Sequence, residues 1–183
     1  MRSSRREVTF GTAPGNPRAD RNPPPWIHGL KLYFLRHGDA DWPGWDRPDD
    51  ERPLTPEGKE KMRRSAKFLA DHGVTPEIIL SSPLPRARQT ADIMAAALRM
   101  EVVEDPALGG GFGHDALVKL VEEHAPKDIM LVGHEPGMSM VIWDLTGGRV
   151  KMGKGGLARV DLEDPADLRG HLVSLIPPKI SAH

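Results

Sequence analysis

Six short apolar runs, separated by longer stretches with helical spacing, constrain this chain more than any other feature. They are "LKLYFL" (30–35), "EIILSS" (77–82), "MEVVE" (100–104), "DIMLVG" (128–133), "LARVDL" (157–162) and "HLVSLI" (171–176). Each is of strand length and bounded by turn residues or by a helical pattern. The helices fall at 56–73, 85–98, 114–124 and about 136–146. The first has Thr55 at the N-cap and Pro56 after it, Met62, Ala66, Leu69 and Ala70 on one face, and Gly73 as its stop. Alternation of this kind predicts a three-layer αβα sandwich with a mostly parallel central sheet and helices on both faces. The last two runs are candidates for an antiparallel hairpin.

At 183 residues the chain suits one domain with a real core. The expected division is a catalytic domain over 30–183 and an extension over 1–29, whose five prolines and five arginines accompany few large apolar residues. A formal charge of −1 gives no global attraction to nucleic acid or to an anionic membrane, so neither is an expected partner. The absence of cysteine removes thiolate nucleophiles and cysteine metal sites and fits a reducing, cytoplasmic setting. Composition says nothing about oligomeric state.

Ligands of such sheets bind beyond the carboxyl ends of the strands, and three of those ends carry unusual residues. The first run exits into Arg36, His37 and Gly38, the second into "SSPLPRARQT" with Ser82, Arg86 and Arg88, and the fourth into Gly133 and His134. An isolated histidine at a strand end is most often structural, and an arginine early in a helix is usually just solvated. Parallel strands, however, place these ends on one rim, where clustered cations repel unless an anion sits among them. Helix N-termini following the rim also suit a tetrahedral anion, so the physical reading is a phosphate pocket.

Four motifs in this order, "LYFLRHGDA", "LTPEGKEKM", "SSPLPRARQTA" and "LVGHEPGM", resemble the histidine phosphatase superfamily, whose fold is that of phosphoglycerate mutase. The short core with "GHEPG" and "KGGLARV" is most similar to its small phosphohistidine-phosphatase branch, typified by SixA. The resemblance covers roughly 31–176 and implies roles for four residues. His37 would be the nucleophile that forms a phosphohistidine. Arg36 and Arg86 would clamp the phosphoryl oxygens, and His134 would donate to the transferring group. Arg88 does not fit the pattern. No metal or other cofactor is expected, because guanidinium forks can stabilise the charge of a loose phosphoryl-transfer transition state.

The family's usual acidic proton donor has no convincing counterpart among Glu104, Asp105, His114 and Asp115, which leaves Asp39 as an outside candidate. Without a donor an ordinary alkoxide leaves poorly, so the expected substrate is a phosphorylated protein carrying phosphohistidine. The alternatives are a phosphatase of small phosphomonoesters and a non-catalytic phosphate- or phosphoprotein-binding module. The acidic loop 39–51 reads as a solvated surface segment, with Trp42 or Trp45 as candidate pocket walls. "LGGGFG" (108–113) reads as a flexible loop. "GRVKMGKGG" (148–156) reads as a mobile basic loop that only imitates a nucleotide P-loop, with Lys151 or Lys154 at most grazing a substrate.

Overall fold

The structure is a computed structural model that describes residues 29–164 and 166–182. The extension expected over 1–29 therefore lies, but for Gly29, outside the described residues. The strands are β1 (Lys31–Arg36), β2 (Ile78–Ser81), β3 (Val102–Glu104), β4 (Ile129–Gly133), β5 (Leu157–Asp164) and β6 (Arg169–Ile176). The helices are α1 (Pro56–Asp71), α2 (Pro85–Leu98), α3 (His114–His124), α4 (Gly137–Thr146) and a short α5 (Pro178–Ser181) that the sequence pattern did not reveal. One six-stranded sheet runs in the order β3-β2-β4-β1-β5-β6. β1 to β4 are parallel, and β5 pairs antiparallel with both β1 and β6, which is the expected closing hairpin.

Side-chain alternation along the strands builds the three layers. Leu32, Phe34, Ile129 and Leu131 face α3 and α4 in one core. Tyr33, Leu35, Met130 and Val132 face α1 and α2 in the other. β1 and β4 are buried on both faces, which explains why their sequences read as continuous apolar runs. Helix α1 begins as expected, with the Thr55 hydroxyl accepting the Gly58 N–H at 2.9 Å. That cap costs roughly 0.5–2 kcal/mol to remove.

Two loop expectations need correction. The 108–113 segment is anchored, because Leu108 and Phe112 insert into the α3/α4 core and Leu108 lies in a 3-10 turn over Pro106–Leu108. The 148–156 segment is tied to the end of β1, since the Gly155 N–H donates to the carbonyls of Arg36 (3.1 Å) and His37 (2.9 Å). Its glycine at 155 has φ +79°, a left-handed conformation that admits this turn without strain. Among the described residues no helix is long and apolar enough to cross a membrane.

Candidate active site

Parallel pairing brings the carboxyl ends of β1, β2 and β4 to one rim, and the ladder continues one residue beyond the strands. The His37 N–H donates to the Gly133 carbonyl at 3.0 Å, and the Ser82 N–H donates to the Val132 carbonyl at 2.9 Å. His37, Ser82 and His134 are thereby held side by side, with the two imidazole centroids 5.1 Å apart. Gly38 is required here by close approach: a Cβ at that position would meet Met62 Cγ at 2.6 Å.

Each ring has a defined tether. His37 Nδ1 lies 2.8 Å from the Gly38 carbonyl oxygen, which can only accept, so Nδ1 carries the proton and the Nε2 lone pair is free. His134 Nε2 lies 2.9 Å from the Ser82 hydroxyl, which itself accepts the Leu84 N–H. With Ser82 as the donor to Nε2, an N–H is left on His134 Nδ1; with Nε2 as the donor, Nδ1 carries a lone pair instead. That Nδ1 is buried without a partner among the described residues, as is Nε of Arg36. A buried donor left unpaired costs about 1–3 kcal/mol, so Arg36 Nε calls for an acceptor, as does His134 Nδ1 in the tautomer that carries its proton.

Both histidines are held neutral. Burial, opposed by the Gly38 bond and reinforced by Arg86, Arg36 and Lys154, lowers the pKa of His37 to about 4. Burial and then the charges of His37, Arg86 and Arg36 lower His134 to about 4 as well, with Asp49 opposing. Arg36 is fixed by an Nη1 bond of 2.8 Å to the Met152 carbonyl. Arg86, only 8% exposed, donates through Nη1 to the Asp49 carbonyl at 2.7 Å and pairs through Nη2 with the Asp49 carboxylate at 3.1 Å.

Thus Arg36, His37, Arg86 and His134 converge as expected, and Arg88 points away into pairs with Asp92 and Glu104. The acid candidates do not join the cluster. The Asp39 carboxylate lies 3.6 Å from Lys154 and accepts the Asp41 N–H. Glu104 is occupied by Arg88, Asp105 caps the 3-10 turn through Ala107, and His114 and Asp115 are exposed at the start of α3. The two tryptophans bond within their own loop, Trp42 to the Pro53 carbonyl and Trp45 to the Pro48 carbonyl.

Three residues that sequence reasoning left out or discounted reach the cluster through space. Asp49 makes the acidic loop a strap over Arg86, held in turn by Arg52 at 2.6 Å. Thr90 accepts the Gly38 N–H at 3.0 Å and donates to the Arg86 carbonyl at 2.7 Å, joining the nucleophile loop to α2. Lys154 acts on His37 by its charge and pairs with Asp41. Only Thr90, four residues after Arg86 on one helical face, carried a signal in the sequence.

Comparison with known proteins accords with this geometry. The family model for the histidine phosphatase superfamily (branch 1) matches residues 32–110. An uncharacterized protein of Picosynechococcus sp. is 36% identical over 138 residues, covering 70% of this chain and 82% of that protein. A 2,3-bisphosphoglycerate-dependent phosphoglycerate mutase of Rhizobium meliloti is 35% identical over 86 residues, 42% of this chain but only 39% of the mutase. Among solved structures, the protein histidine phosphatase SixA complexed with tungstate superposes with a TM-score of 0.70 at 25% identity, covering 82% of this chain and 99% of that one. Fold and matches together define a phosphatase of the three-layer α/β class. The chain belongs to the histidine phosphatase superfamily.

Proposed function

We propose that the protein removes phosphoryl groups through a covalent intermediate on His37, and that its substrate is a protein carrying phosphohistidine. The observation that carries the first part is an imidazole whose Nε2 is free and uncharged beside Arg36 Nε and His134 Nδ1, buried atoms without a partner among the described residues that this reading takes as donors. An oxyanion seated on those donors and on Arg86 presents its phosphorus to Nε2.

In the first step Nε2 attacks phosphorus in line, a P–N bond forms, and the bond to the leaving group breaks with its electron pair passing to the leaving atom. Arg36, Arg86 and His134 stabilise the equatorial oxygens as charge spreads over them. Water then attacks the phosphorylated His37, the P–N bond breaks, and inorganic phosphate departs with the imidazole restored.

The substrate follows from the leaving group. Asp39 lies beside Lys154, and Asp49 is paired with Arg86 and Arg52, so both carboxylates are engaged by cations and neither is assigned as the proton donor. A phosphohistidine protonated on its far ring nitrogen leaves as neutral imidazole, whose conjugate acid has a pKa near ~6.5, so no donor is needed at the scissile bond. An alkoxide from a sugar phosphate has no such route. The likeness to SixA, a protein histidine phosphatase, supports the same substrate class. The similarity to a mutase fits small-molecule phosphomonoesters, but it spans the shorter part of both chains.

The test has two arms. Radiolabelled phosphate is expected to be trapped on His37 after acid-free quenching, and His37→Ala is expected to lose hydrolysis of an aryl phosphate in EDTA. Activity that survives His37→Ala overturns the covalent route. A phosphohistidine protein is expected to be turned over with kcat/KM at least about tenfold above a panel of sugar phosphates, a difference of about 1.4 kcal/mol in the barrier. Equal or better turnover of the sugar phosphates overturns the substrate assignment.

A further inference from the structure

A second concavity lies beside the candidate active site without containing its phosphate cluster. It is a cleft of about 500 Å³ between α1, α5 and the Gly155 turn. Its floor is built from Gly38, Gly58, Met62, Ser65, Gly155 and Pro178, so apolar and small groups dominate. Glycines keep it open: a Cβ at Gly155 would fall 2.8 Å from Met62 Sδ. The volume is in the range, about 300–1,000 Å³, of sites that take small organic molecules. None of Arg36, Arg86 and His134 lines it.

Charge selects the occupant. Among the described residues, Lys61, Arg64, Lys154 and Lys179 line the cleft against a single carboxylate, Asp39. Three of those cations are already matched: Lys61 by Glu57 at 2.7 Å, Arg64 by Glu60 at 3.5 Å, and Lys154 by Asp41 and Asp39. Lys179 has no ion pair among the described residues and stands at the cleft beside Pro178. An apolar floor with one unmatched positive charge complements one negative charge on an apolar body.

We propose that this cleft is a binding site for a small amphiphilic monoanion, a carboxylate or sulfonate on a compact apolar body, with the head on Lys179 and the body against Met62 and Pro178. The site is separate from the phosphoryl site and adjoins it through Gly38, whose carbonyl orients the His37 ring. Binding itself does not depend on the phosphatase reading, because it is measured without phosphorylated substrate.

Isothermal titration of the full chain with naphthalene-1-sulfonate, and with the neutral naphthalene-1-sulfonamide, tests it. One sulfonate per chain is expected, with the sulfonamide at least about fivefold weaker. Lys179→Glu is expected to weaken the sulfonate at least about fivefold while aryl phosphate hydrolysis stays within about twofold of the unaltered protein. Ala182→Trp, which fills the cleft, is expected to abolish binding, and Lys179→Glu preserves the test should that variant fail to fold. Equal affinity for the sulfonamide overturns the proposal, as does undiminished binding to Lys179→Glu. Displacement of the sulfonate by saturating inorganic phosphate would place it on the arginine cluster and overturn the proposal too.

Discussion

Acidification probes how completely the fold has withdrawn His37 from water. With its pKa lowered to about 4, chiefly by burial, the imidazole at about pH 5.5 remains about 97% neutral. An ordinary histidine of pKa ~6.5 would be only about 9% neutral there, so the two cases differ about tenfold in competent nucleophile. The direct assay is the ring proton of His37 followed by NMR from pH ~8 downward, because a phosphorylated substrate titrates near pH ~6 and would confuse a rate profile. The expected midpoint is near 4. The same shift makes a stability prediction. The folded state disfavours the charged ring, so the unfolded chain binds more protons between the two pKa values, and stability rises with pH across that window. The contribution of His37 is fully present above pH ~6.5 and is lost as the pH falls towards 4, amounting to about 2 kcal/mol by pH ~5. Urea midpoints at pH ~7 and ~5, compared between the unaltered protein and His37→Ala, separate it from the parallel contribution of His134. A His37 midpoint at or above about 6 would refute the reasoning, since it would mean that water reaches the ring in the resting protein.

Asp49→Ala removes the carboxylate that competes with an incoming oxyanion for Arg86, so inorganic phosphate is expected to inhibit about two- to tenfold more tightly, read as Ki in an aryl phosphate assay. Thr90→Val leaves the Gly38 N–H without its acceptor and is expected to cost on the order of 2 kcal/mol in urea unfolding and to lower kcat, with Thr90→Ser restoring both. Gly58→Ala places a Cβ 2.1 Å from the Asp39 carbonyl oxygen. Since that atom is backbone, the loop must move, and thermal unfolding is expected to show a loss of about 1–3 kcal/mol.

Much of the architecture was legible in residue order because its causes are local. The 3.6-residue spacing from Met62 to Leu69 and the Thr55 cap specify α1 wherever the helix docks, and the unbroken apolar runs at 32–35 and 129–132 announce strands buried on both faces. The helices at 85–98 and 114–124 coincide with α2 and α3, since Pro85 and a turn mark their limits. The loops were harder to read. Glycine content suggested freedom at 108–113, whereas Leu108 and Phe112 at its ends are pulled into the core by burial, an effect that composition does not register. The acidic loop likewise read as solvated surface, although Asp49 lies across Arg86, 37 residues away in sequence.

The sequence by itself determined which residues could take part in phosphate chemistry: Arg36, His37, Arg86 and His134 are chemically suited to it, and each follows a strand signal. It also left the general acid unassigned. Only the tertiary structure decided the rest, because ion pairs and hydrogen bonds across 37 to 97 residues depend on strand order and register. Pairing β1 between β4 and β5 sets Gly133 beside His37, brings the His37 ring within 5.1 Å of that of His134, and leaves Arg36 Nε and His134 Nδ1 buried without partners among the described residues. The same packing sets Asp39 beside Lys154 and opens the cleft at Lys179. Residue identity supplies the chemical groups, and their distances and protonation states arise only when the sheet closes and water is excluded.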